Sequence, residues 1–318
     1  MGLGLAISRS AMASGEGVPN PTTGIVLDDR YLEHRKGDGH PESPERLRAI
    51  QRRLRVSQLD QALLSVPASI EPMPYIKMVH SDAHIELSAR QAYDDSICRL
   101  AVSGALSAVD AVCTGRVKNA FAAIRPPGHH AANNGEFGFC FYNNVAVAAR
   151  YAQSRHNLSK VLIVDWDYHH GDGTEWAFYE DPSVLVFSTH DLLAFPRSGA
   201  PERRGSGAGL GFNINVPLGS RAGDAEIVGA FRELLVPASE DFQPDLVLIS
   251  AGFDAREGDP LGRYRVTDGG FAQLTAIVMS IAARYSESRV VSLLEGGYDT
   301  EGTARAVEAH LNALLGRV

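Results

Sequence analysis

Hydrophobic positions along this chain fall into two alternating patterns, which are short apolar runs and longer stretches with apolar residues at helical spacing. The short runs are rich in Val, Ile, Leu and Phe, which is typical of strands buried on both faces. They predict strands at Gly24–Leu27, Ala120–Ile124, Val161–Val164, Val184–Ser188, Phe212–Val216, Leu246–Ser250 and Val290–Leu294. The periodic stretches predict helices at Ser43–Leu54, Ser81–Ala92, Ile97–Cys113, Asn144–Arg155, Asp224–Ser239, Asp268–Ser286 and Thr303–Leu315.

The alternation of apolar strands with helices predicts the fold class. It indicates a single doubly wound α/β domain, in which one mostly parallel sheet carries helices on both faces. Neither an internal repeat nor a low-complexity linker interrupts the chain after residue 21. We therefore expect one domain over residues 22–318, preceded by a disordered lead-in, Met1–Pro21, which is rich in Gly, Ser and Ala.

Composition narrows the class of protein. The 318 residues carry a net charge of −8, which argues against direct binding of nucleic acid through a basic face. The three cysteines, Cys98, Cys113 and Cys140, lack the C-x-x-C spacing of a thiolate zinc site and are too few for a disulfide framework. No apolar run approaches the roughly 18 residues of a membrane span, and no secretory leader is evident. We expect a cytoplasmic protein whose oligomeric state, including a homo-oligomer, stays open.

Polar, glycine-rich segments follow five of the predicted strands. In a parallel sheet, ligands bind beyond the carboxyl ends of the strands, so these segments indicate the site. They are Arg125–His130, Asp165–Gly173, Ser188–Asp191, Ser250–Asp254 and Glu295–Asp299.

Three of these side chains are candidate metal ligands. Asp167 and His169 stand two residues apart, so in an extended segment both point to one side, and Asp254 follows a different strand. Three protein ligands with one open position are the catalytic arrangement for zinc. The same oxygen and imidazole donors also suit ferrous iron or cobalt.

Two adjacent histidines are candidates for proton transfer. His129 and His130 follow a strand and a rigid Pro-Pro-Gly turn, and the pKa of histidine lies near neutral pH. Asp165 and Asp172 are placed to hold the tautomer of each ring. Asp165 equally suits binding of a monovalent cation, and Asp172 equally suits a turn between two glycines.

Tyr298 and several apolar side chains complete the candidate site. The phenol of Tyr298, after a Gly-Gly pair that permits close backbone approach, can donate a hydrogen bond to a developing oxyanion. Phe139, which follows Gly138, and Phe195 are candidates for the walls of a narrow slot, and Leu261 for its rim. Isolated aromatic residues are more often part of the core, so this assignment depends on the surrounding motifs.

Taken together and in order, the motifs resemble the histone deacetylase superfamily. The match runs from about Tyr31 to the C-terminus, and the Glu-Gly-Gly-Tyr form resembles bacterial class II-like deacetylases and acetylpolyamine amidohydrolases. It rests on His40–Leu47, Arg125–Ala131, Gly138–Cys140, Asn143–Asn144, Val164–Gly173, Ala251–Asp254, Gly258–Leu261 and Leu294–Tyr298.

The resemblance implies an arginase–deacetylase fold and a set of roles. Zinc is then held by Asp167, His169 and Asp254, and Tyr298 polarises the acyl carbonyl. His129 and His130 become the proton-transfer pair, and Phe139 and Phe195 flank the acyl channel. Structural potassium is implied near Asp165, Asp167, His169, Ser188 and Thr189.

Two segments depart from the family pattern. The substrate-contacting loop that usually precedes the helix near Ile97 is short here, and Asp94 or Asp95 is the candidate for its role. The usual Phe-Pro-Gly-Thr-Gly turn reads Phe195-Pro-Arg197-Ser-Gly199, which adds bulk and positive charge at the rim. Both changes concern the choice of substrate.

The sequence therefore predicts a zinc-dependent hydrolase that removes acetyl or similar acyl groups from the amines of lysine side chains or other primary amines. Hydrolysis of acetylpolyamines or other small amides is the alternative. A catalytically silent acyl-binding module is a further rival from another class. A two-manganese ureohydrolase would need a Gly-Gly-Asp-His segment, which the sequence lacks.

Overall fold

A computed structural model describes residues 23–92, 94–133 and 138–317 of the chain. The predicted lead-in, Met1–Pro21, lies outside these residues. The strands are β1 (Thr23–Val26), β2 (Leu64–Ser65), β3 (Asn119–Ala122), β4 (Val161–Asp165), β5 (Val184–His190), β6 (Asn213–Pro217), β7 (Leu246–Ala251) and β8 (Val290–Leu294). The helices are α1 (Pro44–Val56), α2 (Met73–Ile76), α3 (Asp82–Gln91), α4 (Asp95–Cys113), α5 (Asn144–His156), α6 (Asp172–Phe178), α7 (Asp224–Ala230), α8 (Val236–Phe242), α9 (Asp268–Tyr285) and α10 (Thr300–Leu314).

The strands form one sheet in the order β2-β1-β3-β8-β7-β4-β5-β6, and every pairing in the described residues is parallel. Helices α1, α9 and α10 pack together, as do α4 and α5, and both groups contact the central strands. Since the central strands are buried along their whole length, helices cover both faces of the sheet. The predicted doubly wound, parallel α/β fold is confirmed.

The seven predicted strands are present, with ends shifted by at most two residues. Side-chain caps explain where several helices begin: Asp94 accepts from the backbone N–H of Ser96 ahead of α4, and Asn143 accepts from that of Ala146 ahead of α5. The sequence missed β2, because a strand of two residues is too short to show a hydrophobic pattern.

One predicted helix differs from the observed structure. The pattern predicts a single helix over Asp224–Ser239, whereas the chain forms α7, a π-helical turn at Phe231–Leu235 and then α8, which reaches Phe242. Pro237, in the first turn of α8, has no N–H to donate to the preceding turn. The wider turn lies at the point where regular hydrogen bonding is interrupted.

Helix α4 is long and apolar enough, by length and composition, to cross a membrane. However, 72% of its apolar window is buried inside the fold, where it packs on α5, β1 and β3. Packing in the core therefore accounts for its composition. The three cysteines carry free thiols.

Candidate active site and metal centre

The five polar segments identified in the sequence follow five strands that are neighbours in the sheet. These strands are β3, β8, β7, β4 and β5, and they occupy consecutive positions in the strand order. In the sequence β4 follows β3, but in the sheet β8 and β7 lie between these two strands. The connections on the two sides of β7 and β8 therefore run in opposite directions. Such a switch point leaves a crevice at the carboxyl edge of a parallel sheet.

The three candidate metal ligands converge in this crevice. One ligand atom from each of Asp167, His169 and Asp254 lies within 4.8 Å of the others. Nδ1 of His169 is 3.1 Å from Oδ1 of Asp167 and 3.0 Å from Oδ2 of Asp254. The backbone N–H of Gly296 donates to Asp167 over 2.8 Å, and that of Tyr168 donates to Asp254 over 2.9 Å, so both carboxylates are held in place.

The charges in this cluster fit a divalent cation. Asp167 and Asp254 are fully buried, and burial together with the negative charge of Asp167 raises the pKa of Asp254 to about 7. Burial would lower the pKa of His169, but the Asp254 carboxylate, with Asp167, outweighs it and raises that pKa to about 10. Two buried carboxylates at one point need a positive charge between them, and oxygen and nitrogen donors suit zinc.

Gly296 allows the backbone to approach this crowded cluster. A Cβ at this position would overlap the carboxylate of Asp254 and come within 2.6 Å of Oδ2 of Asp167. Only glycine therefore lets the chain after β8 lie against both metal-ligand candidates.

Each of the two adjacent histidines forms a pair with a carboxylate. Nδ1 of His129 lies 2.9 Å from Oδ2 of Asp165, and Nδ1 of His130 lies 2.7 Å from Oδ1 of Asp172. An ionised carboxylate only accepts hydrogen bonds, so Nδ1 carries the proton in each ring. In His130 this leaves Nε2, with its lone pair, as the free ring nitrogen of a residue that lines the slot described below.

The two histidines differ in charge preference. Burial, followed by the neighbouring His129, lowers the pKa of His130 to about 4, so its ring is neutral near pH 7. Burial would also lower the pKa of His129, but the carboxylates of Asp167 and Asp165 outweigh it and raise that pKa well above its usual value. The pair therefore combines a proton acceptor with a cationic neighbour.

Tyr298 lies across the same crevice. Its ring meets that of Phe139 edge to face at 6.0 Å between centroids, and the guanidinium carbon of Arg46 lies 5.0 Å from its ring centroid. Burial, followed by the charge of Asp254, raises the pKa of Tyr298 well above its usual value. The phenol therefore keeps its proton and remains a hydrogen-bond donor.

His130, His169 and Tyr298 line one cavity of about 540 Å³, here called the slot. Phe139 and Phe195 line it, as does Leu261, and the side chains of Phe195 and Leu261 are exposed at its mouth. Its lining residues are His130, Gly138, Phe139, Tyr168, His169, Asp191, Leu193, Ala194, Phe195, Ser220, Leu261, Arg263 and Tyr298. The sequence had singled out neither Tyr168, Asp191 nor Arg263 as a wall of the slot.

The absence of a side chain at Gly138 leaves space inside the slot. A Cβ at Gly138 would overlap the ring of His130, and the backbone there is left-handed, with φ of +52°. The glycine thus leaves room for His130 in its pairing with Asp172.

Asp94 and Asp95, the residues predicted to contact substrate, do not line the slot, so that contact stays a prediction. The carboxylate of Asp94 caps α4. That of Asp95 accepts from the hydroxyl of Tyr142 over 2.7 Å and pairs with Arg99 over 2.5 Å. The short loop places both side chains at the start of α4, where they stabilise the helix and its neighbour.

Three of the residues predicted to hold potassium, Asp165, Ser188 and Thr189, lie on the neighbouring strands β4 and β5. Asp165, at the end of β4, stands in register with Ser188 of β5 and Ser250 of β7. Within the described part of the chain, the hydroxyls of Thr189 and Ser250 are buried without a hydrogen-bond partner. Oγ of Ser188 lies 2.9 Å from Nδ1 of His190.

Several buried charges around the site were quoted in the motifs without a role. Glu295 accepts hydrogen bonds from the backbone N–H groups of Gly128 and His129, at 2.7 and 3.1 Å, and so holds the histidine loop. Arg46 donates to the carbonyl oxygens of Glu295 and Gly297 on either side of Gly296. A charge inside a sequence motif, at a position predicted to be buried, is the signal that could have identified both.

This chain is similar to known proteins in both sequence and structure. The sequence profile of the histone deacetylase domain matches residues 40–314. Human histone deacetylase 9 is 38% identical over 350 aligned residues, covering 94% of this chain and 34% of that protein. Human polyamine deacetylase HDAC10 is 40% identical over 302 residues, covering 86% of this chain and 44% of that protein.

Among solved structures, the HD domain of HDA15 superposes with a TM-score of 0.86 at 36% identity, covering 93% of this chain and 90% of the solved one. The chain spans between about a third and a half of the length of the two human relatives.

Proposed function

This chain belongs to the histone deacetylase family, and from that premise we propose that it hydrolyses acyl amides. The reaction removes an acetyl group from the amine of a lysine side chain or another primary amine and releases acetate. The observation that supports this most strongly is that one cavity is lined by a neutral histidine, a protonated phenol and His169, whose ring nitrogen lies within 4.8 Å of ligand atoms of the buried Asp167 and Asp254.

The metal site would hold zinc through Asp167, His169 and Asp254. When bound, the cation would supply Lewis acidity, which polarises the acyl carbonyl and makes water a better nucleophile at neutral pH. Ferrous iron and cobalt suit the same ligands. Elemental analysis of protein purified without added metal identifies the ion.

His130 acts as the general base. Its Nε2 has a free lone pair and belongs to a ring that is neutral near pH 7, so it takes a proton from the attacking water. Asp172 holds Nδ1 and stabilises the ring once it is charged. The proton is then delivered to the nitrogen of the leaving amine as the C–N bond breaks.

Tyr298 stabilises the oxyanion that develops on the carbonyl oxygen of the acyl group. Its phenol keeps its proton because burial raises its pKa, and it donates a hydrogen bond to the oxygen. Phe139 and Phe195 flank the chain of the substrate and exclude water from the reacting centre.

Potassium is proposed as a structural ion next to Asp165. The ends of β4, β5 and β7 bring this carboxylate beside Ser188 and Ser250, and the orphaned hydroxyls of Ser250 and Thr189 offer oxygen donors. Oxygen donors without sulfur or imidazole suit a hard cation. Replacing potassium by a bulky organic cation in the buffer should lower the melting temperature if the ion is bound.

The test is a substrate panel on zinc-loaded protein, with acetate and free amine measured directly. It compares acetyl-lysine peptides, acetylpolyamines and longer acyl-lysines. Release of acetate from any of them, abolished by a chelator and restored by zinc, supports hydrolysis. Binding of these compounds without release of acetate would instead indicate a silent acyl-binding module.

A further inference from the structure

Three arginines lie together at the mouth of the slot. Arg221, Arg263 and Arg265, with Ser220, line a shallow depression of about 460 Å³. This depression shares Ser220 and Arg263 with the slot, so the two cavities adjoin. All three arginines are exposed.

The backbone holds this arginine cluster in place. The segment around Arg221 and the segment around Arg265 form a parallel bridge between Gly223 and Arg265, and the N–H of Arg265 donates to the carbonyl of Ala222 over 2.8 Å. Tyr264, between two of the arginines, is buried and donates to the carbonyl of Leu218 over 3.3 Å. The three arginines therefore belong to two segments that backbone hydrogen bonds hold together.

The arginine cluster has no ion-pair partner among the neighbouring carboxylates of the described residues. No ion pair found in the described part of the chain involves Arg221, Arg263 or Arg265. The hydrogen-bond partners of two nearby carboxylates are groups other than these arginines: Asp191 accepts from the hydroxyl of Tyr168 and the N–H of Leu193. Asp259 accepts from four backbone N–H groups.

Like charges held together repel one another, so contacts among the three arginines do not stabilise the fold. They attract anions, and here they do so beside a catalytic cavity. The position of the arginine cluster indicates which part of the substrate would carry the anionic group. Because the acyl carbonyl must reach the metal ligands and Tyr298 at the floor, whatever is attached to the leaving amine emerges at the mouth, next to Arg263.

We propose that the arginine cluster binds an anionic group on the amine side of the substrate. This inference rests on the proposed hydrolysis and adds a substrate class to it: acyl-lysines in acidic surroundings, or acylated amines that carry a carboxylate. Acetylpolyamines, whose amine side is cationic, are repelled by the same arginines.

The test uses acetyl-lysine peptides that differ only in their flanking residues, either acidic or neutral, together with an acetylpolyamine. At low ionic strength we expect kcat/KM to favour the acidic peptide over the neutral one by about tenfold, falling to less than about threefold in 0.5 M salt. Arg263→Glu should reverse the order of the two peptides, and Arg263→Gln should remove most of the preference.

Arg155→Glu is the matched control. Arg155 is exposed in the last turn of α5, ahead of the first residue of β4 and thus at the opposite edge of the sheet, and the substitution makes the same change of charge. It should leave the ratio between acidic and neutral peptides unchanged. Equal kcat/KM for the two peptides in the unchanged protein, or an equal effect of Arg155→Glu and Arg263→Glu, would overturn the proposal.

Failure of the inference can be told apart from failure of the proposed function. Turnover of the neutral peptide tests hydrolysis alone. Fluorescence anisotropy with labelled peptides on zinc-loaded protein compares acidic and neutral flanks whether or not acetate is released. Tighter binding of the acidic peptide, lost in Arg263→Glu, supports the anion site even in a silent protein, and equal dissociation constants refute it.

Discussion

The carboxylate of Asp259 accepts a hydrogen bond from the backbone N–H of Tyr298 over 2.6 Å. The same oxygen accepts from Asp299 over 3.0 Å, and the other oxygen accepts from Leu261 and Gly262. One buried carboxylate thus ties the segment that carries the phenol to the segment that forms the rim of the slot. The position of Tyr298 depends on a residue that does not itself line the cavity.

Replacing Asp259 should loosen Tyr298 without removing it. In Asp259→Ala the N–H of Tyr298 loses its acceptor, so we expect kcat for an acetyl-lysine peptide to fall by roughly tenfold or more at unchanged zinc content. Asp241→Asn, an exposed change of the same charge in α8, serves as the control. Normal kcat in Asp259→Ala would show that Tyr298 holds its position without it.

Removing the phenol itself should be more severe. Tyr298→Phe keeps the ring between Phe139 and Arg46 but deletes the donor to the oxyanion, and turnover should fall by roughly 100-fold or more. Zinc content, measured by elemental analysis, should not change. Turnover within about threefold of the unchanged protein would exclude the role given to Tyr298.

Gly296→Ala should weaken metal binding. The added methyl would overlap the carboxylate of Asp254 and crowd that of Asp167, so the ligands are pushed out of position. We expect substoichiometric zinc after dialysis, whereas Gly229→Ala in α7, where a methyl meets nothing within 4 Å, should bind zinc normally. Full zinc occupancy in Gly296→Ala would contradict the close approach described above.

Arg197→Gly should stabilise the protein. Arg197 lies in the turn after Phe195 with φ of +64°, a left-handed conformation that costs a residue with a side chain roughly 1 kcal/mol. Urea unfolding should show a gain of about 0.5–1 kcal/mol in the free energy of unfolding. Arg197→Ala removes the same charge but keeps the Cβ, so a similar gain in that variant would assign the effect to charge.

Glu175 should make stability depend on pH in the acid range. Burial would raise its pKa, but hydrogen bonds from His170 and Asn215 outweigh it, and Arg203 also contributes, so the pKa falls to about 2. A lowered carboxyl pKa stabilises the fold above the unfolded value of 4.5 and loses that effect as pH falls from 4.5 towards 2. The contribution is at most about 3 kcal/mol, less after solvent screening.

Glu175→Gln removes that titration. The difference in free energy of unfolding between the unchanged protein and this variant should be largest near pH 6 and shrink by pH 3. Urea melts at several pH values measure it. A difference that stays constant over this range would mean that Glu175 does not carry the predicted linkage.

The sequence predicted the fold well because the strands are buried on both faces and therefore appear as uninterrupted apolar runs. The runs at Val161–Val164 and Leu246–Ser250 are examples, and both lie in the middle of the sheet. Such a pattern does not predict the order of the strands, because an apolar run does not indicate which strand it pairs with. The π-helical turn before Pro237 was missed because the apolar spacing continues through it.

At the site, the sequence identified polar side chains that stand directly after strands, such as Asp167 and Tyr298. Asp94 and Asp95 stand at the start of α4 and do not line the slot, so their predicted contact with substrate stays a prediction. The sequence also assigned no role to Arg263, since a single arginine shows its significance only when Arg221, more than forty residues earlier, lies beside it. The spacing of residues along the sequence does not show which charged side chains come together from distant segments.

The strand order has a consequence for how the protein folds during synthesis. Strands β7 and β8, formed late in the chain, insert between β3 and β4, which are synthesised much earlier. While a ribosome is still producing the second half, the two early strands have no partner on their facing edges, and Asp167 has neither Asp254 nor Gly296 nearby. Contacts between residues so far apart in sequence form slowly. Nascent chains halted before residue 296 should therefore fail to retain zinc, and their open edges are where chaperones would be needed.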